Sequence, residues 1–141
     1  MKVVIASDHA GYELKELIKK QFSDSMDFED LGTHSTESVD YPDFAHPLAE
    51  RVGKNKELFG ILICGTGNGM TMTANKHANI RAGLCWSKEI AALARQHNNA
   101  NVLVLPARFI PAETAFEIVD TFFHTDFEGG RHERRVEKIN L

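Results

Sequence analysis

The sequence contains one segment in which a cysteine directly precedes a glycine-rich loop. Cys64 ends the apolar run 59–64, and glycines occupy positions 65, 67 and 69. Closely spaced glycines let the backbone turn tightly and direct its N–H groups to one point, and the N-terminus of a following helix stabilises an anion. A cysteine at such a place is also suited to act as a thiolate. The segment therefore predicts a reactive cysteine beside a site for a phosphate or a developing oxyanion.

The residue at position 70 disfavours two other uses of this loop. A dinucleotide-binding GxGxxG loop would need a glycine where Met70 stands, and it would follow the first strand rather than the third. A cysteine-dependent phosphatase would usually have an arginine at the same position. The nucleotide-binding pattern GxxxxGK[ST] is absent as well. The seven histidines show no metal-ligand spacing, so we expect no metal site.

Other residues have both a chemical and a purely structural interpretation. Asp8 and His9 follow the first predicted strand, where Asp8 could be only a helix cap. His97 falls on an apolar helix face and could be a satisfied core histidine. Arg131 and Arg135 are four residues apart on the last predicted helix, a spacing that could hold one phosphate or could belong to a solvated surface.

The apolar pattern alternates short strands with amphipathic helices. Strands are predicted at 3–6, 28–31, 59–64, 80–85 and 101–105, and helices near 12–22, 44–52, 70–76, 90–97, 111–123 and 132–139. This alternation predicts an α/β fold with a mostly parallel sheet covered on both faces. Since ligands bind at the carboxyl ends of such strands, we expect Asp8, Cys64 and the end of the fourth helix to meet there.

Helical spacing also predicts which side chains face the core. Pro47 would kink the second helix or mark its true start. In the first helix, lysines and glutamates are expected on the solvent side. The predicted inward residues of the first and fourth helices are Leu14, Leu17, Ile18, Phe22, Ile90, Leu93, Ala94 and His97.

Composition indicates one soluble globular domain over residues 1–141. The net charge of −4 argues against nucleic acid or an anionic membrane as a partner. The N-terminal apolar run is too short for a signal peptide, so we expect a cytoplasmic protein with Cys64 and Cys85 as thiols. Cys85 lies between Leu84 and Trp86 and is predicted to be a core residue.

Six segments resemble, in order, type B ribose-5-phosphate isomerase, of the family that includes galactose-6-phosphate isomerase. They are SDHAG at 7–11, DYP at 40–42, GILICGTGNG at 60–69, ANK at 74–76, RQHN at 95–98 and GGRH at 129–132. The resemblance implies a single-domain, three-layer, Rossmann-like α/β sandwich with a five-stranded sheet. It implies reversible isomerisation of ribose 5-phosphate and ribulose 5-phosphate through a cis-enediolate, without a cofactor. It also implies a homodimer or dimer of dimers with shared active sites and the C-terminal helix at the subunit interface.

The resemblance further implies a role for each residue. Cys64 would take the proton from C2 of the open-chain sugar and return it to C1, and Thr66 would help move protons between the two oxygens. His97, with Asp8 nearby, would assist opening of the furanose ring. The enediolate would be held by the backbone of Gly65, Gly67, Asn68 and Gly69, the sugar by Tyr41 and Asn98, and the phosphate by His9, Arg108, Arg131, His132 and Arg135.

Two features separate this chain from some relatives. Asn99 stands where many have an aspartate, which removes a charge near His97, and Cys64 places the chain in the cysteine branch. The full residue set favours a homo-oligomer acting on a pentose phosphate. Three alternatives remain: the same chemistry on a six-carbon phosphate such as allose or galactose 6-phosphate, a non-catalytic phosphate- or nucleotide-binding module, and a thiol-dependent hydrolase with His97 as base.

Overall fold

The computed structural model describes residues 1–141 and contains one sheet of five parallel strands in the order β2-β1-β3-β5-β4. The strands are β1 (Lys2–Ser7), β2 (Asp27–Asp30), β3 (Phe59–Cys64), β4 (Ala82–Leu84) and β5 (Val102–Pro106). The three interior strands, β1, β3 and β5, are largely apolar and buried, as expected of strands with helices on both faces. The predicted α/β class is confirmed, and the sheet is parallel throughout.

Six helices connect and follow the strands: α1 (Tyr12–Gln21), α2 (Pro42–Gly53), α3 (Asn68–Ala74), α4 (Lys88–Gln96), α5 (Ala112–Phe123) and α6 (Arg131–Glu137). Alternate strand residues point to opposite faces, so Val3 and Ile5 pack with α1, α4 and α5, whereas Val4 and Ala6 pack with α2 and α3. This gives the expected three layers, with one apolar core on each side of the sheet. None of the helices combines the length and the apolar character that crossing a membrane would require.

The largest boundary difference concerns β4, which has three residues instead of the six predicted. It is an outer strand that pairs only with β5, and its residues are half-buried. The helix α2 begins at Pro42 and contains Pro47 in its interior. The helix α3 begins at Asn68, two residues earlier than predicted.

Two helices turn different side chains inward than their spacing predicted. In α1, Leu17 is 47% exposed, while Lys15 is fully buried because its ammonium group pairs with Asp30 at 2.6 Å. In α4, Leu93 is exposed and Arg95 is buried instead. The Arg95 guanidinium donates to three oxygen acceptors and lies over the rings of Phe59 and Phe122. A polar residue can replace an apolar one in a core when its donors are satisfied in this way.

Candidate active site

A cleft of about 330 Å³ opens at the carboxyl ends of β1, β3 and β5. Its walls come from the residues that follow these strands and from the N-terminus of α2. Apart from Ala10, every lining residue is among the predicted site residues: Asp8, His9, Tyr41, Cys64, Gly65, Thr66, Gly69 and Arg108. The fold therefore brings one thiol, one imidazole, one carboxylate and one guanidinium to a single opening.

Cys64 is the last residue of β3 and is 4% exposed, with a free thiol. Its carbonyl accepts the N–H of Ala107 at 2.9 Å, and that of Gly65 accepts the N–H of Arg108 at 3.0 Å. These bonds hold the segment after β5 against the cysteine. A Cβ at Gly65 would lie 3.2 Å from Arg108 Nη1, so the guanidinium rests against the backbone next to Cys64. The arrangement places a positive charge where an anionic substrate would enter.

The loop after Cys64 needs glycine at two positions. Gly67 has φ of 79°, in the left-handed region that side chains disfavour. A Cβ at Gly69 would lie 2.5 Å from the ring of Tyr41, so this ring packs directly on the glycine backbone. Thr66 Oγ1 accepts the N–H of Asn68 at 3.2 Å, which closes a local turn at the start of α3.

Hydrogen bonds fix the two residues that follow β1. Asp8 Oδ1 accepts the N–H of Gly11 at 3.1 Å, which leaves its second oxygen for the cleft. His9 Nδ1 accepts the N–H of Val39 at 3.1 Å. With Nδ1 as an acceptor, the proton of the neutral ring lies on Nε2. His9 therefore presents an N–H donor, the group that a phosphate oxygen accepts.

A second cleft of about 310 Å³ lies between the end of α4 and α6. His97, Asn98, His132 and Arg135 line it, together with Val136 and Ile139. The His97 and His132 rings stack with their centroids 4.3 Å apart and an angle of 13° between their planes. The carboxylate of Glu128 lies beside them, with Oε1 3.4 Å from His132 Nε2 and 4.0 Å from His97 Nε2.

The two clefts lie at opposite ends of the strands: the Cys64 cleft is at the carboxyl ends, and the second cleft is near the amino ends. Arg95, in the last turn of α4, packs on Phe59, the first residue of β3, whereas Cys64 is the last. Five residues of extended strand separate these ends by about 16 Å. The expectation that the end of the fourth helix meets Cys64 at the carboxyl edge is therefore wrong within one chain. In a strand–helix–strand unit the helix is antiparallel to the two strands. The helix α4 therefore ends near the amino end of β5.

Three predicted residues line neither cleft: Gly67, Asn68 and Arg131. Gly67 is buried in the turn itself, whereas Asn68 and Arg131 are exposed at the first positions of α3 and α6. The prediction also left out Glu128. No sequence pattern marks it, because residues 125–129 are not helical and the fold alone brings its carboxylate to the two histidines.

Asn99 supports the turn between α4 and β5. It has φ of 48°, a conformation that asparagine tolerates better than most residues. Its side-chain oxygen accepts from Arg95 Nη1 at 3.1 Å, and its backbone carbonyl accepts from Arg81 Nε at 2.7 Å. Burial lowers the pKa of both arginines below the ordinary value. The Asn99 side chain is thus turned toward Arg95.

The parallel α/β fold and the cysteine–glycine loop after β3 agree with what the resemblance to sugar-phosphate isomerases implies. Residues 3–139 match the family model described as Ribose/Galactose Isomerase, and the chain belongs to this family. Ribose-5-phosphate isomerase from Thermotoga maritima is 56% identical in sequence. Its crystal structure has a TM-score of 0.95 to this chain, and the match covers 99% of this chain and 97% of that one.

Two further relatives are similar over nearly the whole chain. Ribose-5-phosphate isomerase B from Mycoplasma genitalium, in a structure with bound ribulose-5-phosphate, is 48% identical with a TM-score of 0.94 and covers 98% of this chain and 93% of that one. Ribose-5-phosphate isomerase B from Escherichia coli is 42% identical over 98% of this chain and 93% of its own length.

Proposed function

We propose that this chain interconverts ribose 5-phosphate and ribulose 5-phosphate through a cis-enediolate, with Cys64 as the base. The observation that supports this most is the place of Cys64, at the end of β3 and beside a glycine-rich loop in a polar cleft. The relative with bound ribulose-5-phosphate supports the substrate. The full-length similarity to isomerases also favours this function over the binding module and the hydrolase.

In the forward direction the Cys64 thiolate takes the proton from C2 of the open-chain aldose. The C2–H electron pair forms the C1–C2 double bond, and the C1 carbonyl oxygen becomes the enediolate oxygen. The proton then returns to C1, and the C2 hydroxyl becomes the new carbonyl. A positioned base of this kind contributes about 10²–10⁴-fold in rate.

Charge that develops on the enediolate needs donors that are already in place. The backbone N–H groups from Gly65 to Gly69 follow Cys64 directly. The Asn68 N–H already donates to Thr66 Oγ1, and each remaining donor that reaches the enediolate is worth roughly 3 kcal/mol. The Thr66 hydroxyl lies on the wall of the cleft, where it would move a proton between the two sugar oxygens.

The second cleft supplies the groups that the first lacks. His97 would open the furanose ring, with Asp8 of the facing cleft assisting, and Asn98 and Tyr41 would contact the sugar hydroxyls. Charge-assisted hydrogen bonds hold a phosphate more strongly than neutral ones. The proposed phosphate ligands come from both clefts and from α6: His9, Arg108, Arg131, His132 and Arg135.

Because the clefts lie at opposite ends of the strands, one bound sugar would reach both only if they came from two chains. We therefore propose a homodimer, or a dimer of dimers, in which the Cys64 cleft of one subunit faces α4 and α6 of its partner. Leu93 on α4 and Ile139, two residues beyond the end of α6, are 42% and 56% exposed, which suits a subunit contact. The two free thiols suit a reducing compartment, and we place the protein in the cytoplasm.

The experiment that tests the proposed function is conversion of ribose 5-phosphate by purified protein in excess chelator. We expect turnover by the wild type, a loss of at least ~100-fold in Cys64→Ala, and retained turnover in the matched control Cys85→Ala. Turnover of allose or galactose 6-phosphate but not of the pentose phosphate would contradict the pentose assignment. A covalent adduct on Cys64 would instead support the hydrolase.

A further inference from the structure

Three metal-binding side chains meet in the second cleft. The ligand atoms of His97, Glu128 and His132 all lie within 4.8 Å of one another. His97 follows the last turn of α4, Glu128 precedes the paired glycines, and His132 is in the first turn of α6. We call these three residues the histidine–glutamate cluster.

The spacing of this cluster suits a small tetrahedral ion. Zn–N and Zn–O bonds of ~2.0–2.2 Å place two ligand atoms of a tetrahedron roughly 3.3–3.6 Å apart. The 3.4 Å between His132 Nε2 and Glu128 Oε1 falls within this range. The 4.0 Å to His97 Nε2 and the direction of that nitrogen require the His97 ring to rotate, which its 41% exposure allows.

The Glu128 ligand is also held in place before any ion binds. The Glu128 N–H donates to the carbonyl of Gln96 at 3.1 Å, which fixes its backbone against the end of α4. The His97 and His132 rings stack nearly parallel, so the His97 ring must leave this stack before both Nε2 atoms can face one ion. No lysine or arginine forms an ion pair with the Glu128 carboxylate; its charged neighbours within 4.0 Å are the two imidazoles.

We propose that the histidine–glutamate cluster binds one divalent transition-metal ion, best matched by Zn²⁺, and that the bound ion inhibits isomerisation. Two imidazoles and one carboxylate form a zinc donor set that leaves a fourth position for water or a phosphate oxygen. An ion on His97 Nε2 would occupy the nitrogen needed for ring opening. The inhibition rests on the proposed function, whereas the binding does not.

Binding is tested by calorimetric titration of the intact protein with Zn²⁺ and by the absorption spectrum with Co²⁺. Removing a ligand should weaken metal affinity by about tenfold or more, so we expect this loss in Glu128→Gln. His46→Asn/His77→Asn is the matched control, because this surface pair has ring nitrogens 2.6 Å apart but no acidic partner within ion-pair distance. We expect it to leave the cluster's affinity and the Co²⁺ spectrum unchanged. Absence of binding, or loss only in the control, would overturn the site.

The activity arm uses the same proteins. Zn²⁺ should inhibit the wild type, excess chelator should reverse the inhibition, and Glu128→Gln should need about tenfold more Zn²⁺ for half-inhibition relative to its own metal-free rate. Equal sensitivity of the wild type and Glu128→Gln would overturn the inhibition. Zinc binding by a protein with no isomerase activity in chelator would contradict the proposed function and leave the metal site supported.

Discussion

The two cysteines have different environments: Cys85 lies in the core and Cys64 lines the first cleft. Cys85 is fully buried, and burial raises the pKa of its thiol to about 12. Its Sγ lies 3.6 Å from the Gly83 carbonyl, so the protonated thiol has an acceptor. Cys64 instead lines the cleft at the end of β3. The sequence separated the two correctly, because only Cys64 precedes glycines.

A thiol reagent should therefore distinguish the two cysteines. With iodoacetamide at pH 8 we expect peptide mass spectrometry to find Cys64 alkylated and Cys85 unmodified, because a thiol with a pKa of about 12 supplies almost no thiolate there. Ribose 5-phosphate should slow the reaction at Cys64. Faster modification of Cys85 in the folded protein would contradict the burial seen here.

His9 gives a second prediction at the scale of one residue. In His9→Asn the side-chain oxygen can still accept the N–H of Val39, but the Nε2 donor is lost. A hydrogen bond to a charged group contributes about 1.5–3 kcal/mol, so KM for ribose 5-phosphate should rise roughly tenfold or more. The value of kcat should change much less, because the phosphate is not the reacting group. A fall in kcat with unchanged KM would argue against a role in phosphate binding.

At the scale of elements, a buried ion pair connects α1 to β2. Lys15 is fully buried, and Asp30 accepts from Lys15 at 2.6 Å and from Lys19 at 2.8 Å. Burial alone would raise the pKa of Asp30, but the hydrogen bonds from the two lysines and from the Gly32 N–H outweigh it, so the pKa is lowered. The pair thus fixes where α1 lies on the sheet.

Replacing Asp30 tests this pair. Asp30→Asn keeps an acceptor for Gly32 but leaves the buried Lys15 charge with only the partly exposed Glu16 carboxylate, 3.2 Å away, so we expect about 3 kcal/mol of lost unfolding free energy in urea denaturation. The control Lys19→Ala removes a partly exposed partner and should lower the free energy of unfolding by less than about 1 kcal/mol. Equal losses in the two variants would contradict a special role for the buried charge.

The lowered pKa of Asp30 also predicts a pH dependence. Its contribution to stability is fully present above about pH 4, the ordinary carboxyl value, and is lost as the pH falls through the lowered value. The urea midpoint of the wild type should therefore approach that of Asp30→Asn below this pH. A difference between the two midpoints that stayed constant down to pH 2 would contradict the assignment.

This ion pair also marks the limit of the element predictions. Apolar spacing located all five strands and all six helices, since each depends on local sequence. Helical spacing placed Lys15 on the solvent side and Leu17 in the core, because it carries no information about Asp30, which lies fifteen residues further along the chain. The same applies to Arg95, whose acceptors lie in two separate turns.

At the scale of the whole molecule, the prediction that the end of the fourth helix lies beside Cys64 was wrong within one chain. Motifs such as RQHN at 95–98 identify residues, but their position depends on the direction in which α4 crosses the sheet. The chain therefore contains two separate clefts, with a thiol in one and stacked histidines in the other. The contacts of Glu128 with His97 and His132 likewise depend on the tertiary fold and not on local sequence.

The central claim is that residues of two subunits complete each active site, and complementation between two inactive variants tests it most directly. Cys64→Ala and His97→Asn would be assayed alone and after refolding together. In a shared-site dimer, half of the randomly formed dimers are mixed and have one intact site of two, so we predict roughly a quarter of wild-type activity. Activity no greater than that of either variant alone, with mixed dimers verified by native mass spectrometry, would contradict the account.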